Sequence, residues 1–257
     1  MTTGPLPRSS APRVLAWLLI PACLLMLAPF ATLLRETSWR DFTLAYGDAR
    51  AVGTSFGLGL VAIVAIALLG TPLALWQART RAAIRPLVDA LVLATAATPP
   101  LAMGILLVSV YGPYGSVGGG LARLGLTLNN NPAAFVLAQV YAGIGYYVLA
   151  ARNAFEAFSP VAEQAAQSLG ANGWQTFRRV TLPLAARGLL GGLVLAWVRL
   201  IGEFGIVMVF AYFPQGIPVK LYVDLQDEGL DAVYALLWVL LLMTLPLPVL
   251  GAFRRRR

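Results

Sequence analysis

The chain has 257 residues, of which 59% are hydrophobic and only 12% charged, with a formal net charge of +8. An ordinary soluble domain carries about 25% charged residues, and one domain of this length has too little interior to hide so much apolar surface, so lipid must cover part of it. The absence of histidine excludes His-ligated metals and Ser-His-Asp triads, and the lone Cys23 excludes a disulfide within one chain.

In chain order, residues 1–12 are rich in Pro, Ser and Thr and read as a mobile cytoplasmic tail, which leaves 13–257 as one transmembrane domain. Six stretches reach the roughly 20 apolar residues that a spanning helix needs: 14–34, 51–75, 87–110, 133–152, 187–211 and 232–253. The first reads as a retained anchor, because Pro29 and bulky Phe30 spoil a small-x-small cleavage site. In the second, Gly53-x-x-x-Gly57 predicts close helix packing. Pro99-Pro100 predicts a kink or break in the third. The expected fold is an all-α membrane protein, six transmembrane helices with a cytoplasmic helix between the fourth and fifth spans.

The basic residues orient these spans. With the N-terminus inside, 13 of the 19 Lys and Arg fall on the inner side and 5 on the outer, with Arg199 inside the fifth span. That bias follows the positive-inside rule and places both termini in the cytoplasm. It also explains the +8 charge without nucleic acid. Lys220 is the only lysine and no Gly-x-x-x-x-Gly-Lys loop surrounds it, so ATP chemistry has to come from another polypeptide.

The longest polar island between apolar segments runs from about 153 to 186 on the inner side. Ser159 and Pro160 suit a helix start and Glu163 complements its dipole. Val161, Ala162, Ala165, Ala166 and Leu169 then line one face, opposite Glu163, Gln164, Gln167 and Ser168, and Gly170 suits a C-terminal cap. Asn172-Gly173 turns the chain into Trp174–Val180, which Pro183 is expected to end. A helix of small and apolar residues on one side fits either a groove on a partner or the chain's own bundle.

The spacing of Ala165, Ala166, Gly170, Val180, Leu182 and Pro183 resembles the coupling loop of ABC importer permeases, Glu-Ala-Ala followed by Gly and then by an aliphatic residue and Leu-Pro. Gln164 departs from the usual Glu, with Glu163 just before it. Tyr147–Phe158 and Arg199-Leu-Ile-Gly-Glu-Phe-Gly205 resemble the corresponding segments of molybdate, tungstate and sulfate permeases, and the likeness covers roughly residues 50 to 250. The segment Met208–Pro218 departs from the commonest molybdate version.

The resemblance implies a permease subunit of the bacterial cytoplasmic (inner) membrane that forms the path for an oxyanion, molybdate or tungstate first and sulfate or thiosulfate second. It implies a homodimer with the path at the twofold interface. ATPase subunits, which bind the ATP and Mg, would dock on the loop through Glu163, Gln164, Ala165, Ala166, Leu169, Gly170 and Pro183. A periplasmic or lipid-anchored binding protein would deliver the anion, and the chain itself would need no cofactor. Arg199 and Glu203, four residues apart, read as an intramembrane ion pair, either structural or the gate of the path together with Phe204. An ion-coupled secondary transporter, the other transport class, needs coupling carboxylates near the midplane, and only Glu203 qualifies. A membrane scaffold without transport is the third reading.

Overall fold

The computed structural model describes residues 13–254, so the tail read at 1–12 lies outside it. Helix α1 spans Arg13–Glu36, α2 Asp48–Arg79, α3 Arg85–Ala97, α4 Pro100–Tyr111, α5 Gly118–Arg123 and α6 Pro132–Glu156. Then come α7 Val161–Ser168, α8 Gly173–Thr176, a π-helical turn Phe177–Thr181, α9 Leu182–Ile201, α10 Gly205–Phe210, α11 Ile217–Asp227, α12 Leu230–Thr244 and α13 Pro246–Arg254. No strand occurs among the described residues. Among the described residues, five helical stretches are long and apolar enough to cross a membrane, or six where the bent pair α3–α4 is taken as one span.

Two apolar cores share α6. On one side α6 packs against α2 and α9 through Ile66, Tyr147, Phe155, Leu189 and Leu200; on the other it meets α4 and α10 through Met103, Phe135, Ile206 and Phe210. Small residues let these backbones approach, because lipid supplies no hydrophobic drive between helices. A methyl group at Gly70 would sit 2.6 Å from the Tyr147 ring, whose hydroxyl lies 2.6 Å from Thr71 Oγ1. By contrast α1 is bare: Leu33 alone of its described side chains is buried. Its end is held where Trp238 Nε1 donates to Thr37 Oγ1 at 2.9 Å.

Three expectations need correction. A methyl at Gly53 or Gly57 would meet nothing of this chain within 4 Å, so the glycines of α2 that pack closely within the chain are Gly59 and Gly70, which the Gly-x-x-x-Gly spacing did not mark. Pro183 does not end a helix. It lies in the first turn of α9, where its missing N–H costs least, and the wider π turn before it carries Gly173–Ile201 on as one stretch. The fifth span, read as 187–211, starts earlier and stops at Ile201, because the chain opens at Gly202-Glu203-Phe204 before α10 begins.

The predicted break at Pro99-Pro100 is present, and sharper than a kink. Thr98 and Pro99 are extended, the residue before a proline being biased away from helix, and α3 and α4 make an angle of 114°. The region read as an outer loop between the fifth and sixth spans contains α11. It is docked on α2 by Ile217 N donating to Ser55 Oγ at 2.8 Å, and its Ile217 and Val219 are fully buried.

Candidate functional site

The loop after α6 folds into two short helices at the foot of the bundle. Gly170 adopts φ +91°, a left-handed conformation that closes α7 as its cap. Asn172 then starts α8 with a reciprocal cap: its Oδ1 accepts from Gln175 N at 2.9 Å, and Gln175 Oε1 accepts from Asn172 N at 3.0 Å. Gln164 and Ala165 are exposed and Ala166 half-buried. Val161 is 63% exposed, Leu169 89% and Trp174 67%, so the loop presents large apolar side chains outward.

Glu163 points the other way. Its carboxylate accepts from Arg79 Nε at 3.0 Å, from Arg79 Nη2 at 3.3 Å and from Thr181 Oγ1 at 2.7 Å. Arg79 ends α2, and its guanidinium lies 4.9 Å above the Phe158 ring just after α6. Thr181 closes the π turn that leads into α9. Neither of the two partners of Glu163, Arg79 and Thr181, was singled out in the sequence. A cleft lined by Trp76, Arg79, Glu163, Gln167 and Thr176 separates the loop from the end of α2. Beside it, Arg85 and Arg152 share Asp89 and Glu156 at 2.9–3.6 Å, which ties α3 to α6. Asp89 also accepts from Gln77 Nε2 of α2 at 2.8 Å.

The intramembrane residues lie at the far end of α9, about 30 Å up a 20-residue helix. Arg199 is in its last turn, but Glu203 is past its end. The two are paired as the i,i+4 spacing predicts, yet they do not share a continuous helical face. The second Glu203 oxygen accepts from Ile206 N at 2.7 Å, which holds the start of α10. Arg199 also stands 5.8 Å from the Tyr146 ring of α6, and Phe204 packs 5.3 Å from Tyr222 of α11. A methyl at Gly205 would come within 2.8 Å of Pro100 Cβ and 3.0 Å of Leu101 N. The break in the fifth span therefore sits directly against the break in the third.

A fourth charged group joins α11 to the start of α2, at the end of that helix opposite Arg79. Lys220 pairs with Asp224 and lies 3.7 Å from Asp48, and both carboxylates are buried. Burial pulls the Lys220 ammonium pKa down, but the Asp224 hydrogen bond and the two carboxylate charges outweigh it and leave the pKa above its ordinary value.

Comparison with known proteins places this geometry in a family. A model described as the binding-protein-dependent transport system inner membrane component matches residues 70–253. A probable molybdenum ABC transporter permease of Haloferax volcanii is 40% identical over 70% of this chain and 65% of its own length, so the chain spans just under two thirds of that relative. The molybdenum transport system permease ModB of Azotobacter vinelandii is 34% identical over 63% of this chain and 72% of its own. The sulfate transport system permease CysT of Escherichia coli is 28% identical over 88% and 86%. Among solved structures, a bacterial alginate ABC transporter in complex with an alginate-pentasaccharide-bound periplasmic protein superposes with a TM-score of 0.75 at 17% identity, covering 93% of this chain and 92% of that one. The MetNI methionine ABC transporter in an inward-facing conformation gives 0.63 at 19%, covering 81% and 94%. At such identities the structures establish the fold. With the family match over residues 70–253, the chain belongs to the binding-protein-dependent transport system inner membrane component family, the multi-pass permeases of ABC importers.

Proposed function

We propose that this chain forms the translocation path of an ATP-driven oxyanion importer, with molybdate or tungstate as cargo. The observation that carries the reading is the loop: a short helix with Val161 and Leu169 exposed, held to the ends of α2 and α9 by a single carboxylate. Such a surface suits a groove on an ATPase subunit, and its inner ties suit passing that subunit's motion to the membrane helices. The chain acts as a homodimer with both termini in the cytoplasm. ATP is bound with Mg and hydrolysed by the partner, since no Gly-x-x-x-x-Gly-Lys loop surrounds the sole lysine, Lys220. A periplasmic or lipid-anchored binding protein selects the anion and delivers it from the opposite side.

Transport needs no covalent step in this scheme. When the paired ATPases close, the loop shifts the feet of α2 and α9, and the abutting breaks around Pro100 and Gly205 let the halves of the third and fifth spans re-angle. Arg199, Glu203 and Phe204 line or gate the path there. The pairing of Arg199 with Glu203 keeps the net charge near zero, so an anion meets a passage rather than a tight cage. The ion-coupled reading is disfavoured because Glu203, the carboxylate it needs, is engaged by Arg199 and Ile206 N.

Cargo identity rests on the relatives. The molybdenum permeases are the more identical, while the sulfate permease aligns over more of the chain, which gives sulfate or thiosulfate a specific claim as the second reading. Uptake of labelled molybdate into proteoliposomes holding this chain, its ATPase and its binding protein decides between them. Competition by tungstate alone supports the first reading, and competition by sulfate or thiosulfate supports the second. Absence of ATP-dependent uptake of every one of these anions overturns both.

A further inference from the structure

The loop contains two acids, Glu156 and Glu163, and both are spent inside the chain. Glu163 is the more telling. Its side chain is only 13% exposed although every other residue of α7 except Ala166 is exposed. One oxygen accepts from Thr181 at 2.7 Å and from Arg79 Nη2 at 3.3 Å, and the other accepts from Arg79 Nε at 3.0 Å. That is a two-pronged guanidinium–carboxylate contact plus a buried hydroxyl, the geometry in which a charged pair is most directional. Its partners belong to the last turn of α2 and to the residue that opens α9. No other residue of α7 has a side-chain hydrogen bond or ion pair to the membrane helices among the described residues.

We infer that Glu163 is a positioning residue, the strut through which α7 pushes on α2 and α9 together, and that the partner ATPase is met by the uncharged face of Val161, Gln164 and Leu169 instead. This deepens the importer reading and rests on it. The π turn ending at Thr181 makes the arrangement workable. Its widened backbone, before a proline with no N–H to donate, is a joint between the loop and α9, and Glu163 reaches the last residue of that joint, Thr181, from α7. Without the strut, movement of α7 would be absorbed by that turn and by the connection after Phe158, and the helices would not follow. The inference separates two properties that a docking carboxylate would combine: affinity for the ATPase and efficiency of transport.

The test uses the full complex in proteoliposomes, with ATPase binding, ATP turnover and anion uptake measured on the same preparation. Glu163→Gln keeps the shape of the side chain and removes the charge. ATPase binding is expected to be unchanged and turnover to continue, while anions moved per ATP fall about tenfold, the scale of an intersite coupling. The reversed pair Arg79→Glu with Glu163→Arg is expected to recover much of that ratio, which a purely structural loss would not do. Loss of ATPase binding in Glu163→Gln overturns the inference, since the carboxylate would then face the partner. An unchanged ratio overturns it as well. A second measurement needs no partner: hydrogen exchange on the permease alone. Glu163→Gln is expected to speed exchange over residues 161–181 and leave 205–210 as in the wild type. Unaltered exchange over 161–181 refutes the strut, whether or not wild-type uptake sustains the importer reading.

Discussion

Arg79 and Glu163 lie 84 residues apart and join the foot of α2 to the cytoplasmic loop, whereas Arg199 and Glu203 lie four apart and bracket the end of α9. The chemistry of the two pairs is the same. Their surroundings are not. Both members of the first keep some contact with water, with side chains 24% and 13% exposed, while the Glu203 side chain of the second is fully buried. A partly hydrated pair contributes little net stability and matters for what it connects. A pair with one buried partner matters for what would follow its loss, an uncompensated charge in a low dielectric. One chain thus uses an Arg–Glu contact as a link between elements and again as a brace within one segment.

Variants at the brace should give the largest effects. Arg199→Met strands the buried Glu203 carboxylate, and is expected to cost about 3–5 kcal/mol. Denaturant titration in detergent measures it. Adding Glu203→Leu should restore most of that loss, short of about 1 kcal/mol for the vacant Ile206 N–H. Equal losses in the single and double variants would mean that the pair has no role as a brace. Gly205→Ala comes next. Its methyl would meet the Pro100 ring and the Leu101 backbone, and overpacking of that kind costs about 1–3 kcal/mol. Gly191→Ala, with nothing within 4 Å of the added carbon, is the control and should raise the midpoint slightly, by up to about 1 kcal/mol, since alanine is the better residue inside a helix. At the link, a double-mutant cycle on Arg79→Ala and Glu163→Ala should return only about 0.5–1 kcal/mol. A cycle energy near that of the brace would erase the distinction between them.

The brace was legible in the sequence and the link was not. Two opposite charges four residues apart in an apolar run can hardly avoid each other, so Arg199 and Glu203 could be paired on spacing alone. Nothing local joins Arg79 to Glu163; only the packing of α2 against α6 and the return of the loop bring them together. The amphipathic pattern of α7 located the helix but not its inward side. Apolar residues usually turn in and polar ones out, yet here Val161 and Leu169 are exposed and Glu163 is turned in, because an ion pair rather than apolar packing holds the helix to the bundle. The spans followed from hydropathy, and the third break from Pro99-Pro100. The fifth break did not, since apolar residues run nearly unbroken from Leu193 to Phe210, and only Gly202, Glu203 and Gly205 marked it.

The smallest expected effect probes how the link is divided between its two donors. Thr181→Val keeps the shape of the side chain and deletes one hydrogen bond to Glu163, that at 2.7 Å, while leaving the Arg79 fork intact. Thr181 is buried, so a methyl is tolerated where the hydroxyl stood, and the lost bond to a charged acceptor should cost about 1.5–3 kcal/mol if it is fully desolvated. Glu163 is not fully desolvated, and water from the adjoining cleft can reach the vacated lone pair, which brings the expected loss down to about 1 kcal/mol or less. Thr181→Ser retains the donor and should behave as wild type. The informative quantity is the ratio of anion moved to ATP consumed. If Arg79 alone carries the link, Thr181→Val leaves that ratio untouched and α9 is driven through α2. If the carboxylate must hold both helices at once, the ratio falls in Thr181→Val and recovers in Thr181→Ser, at a stability cost too small to explain the fall.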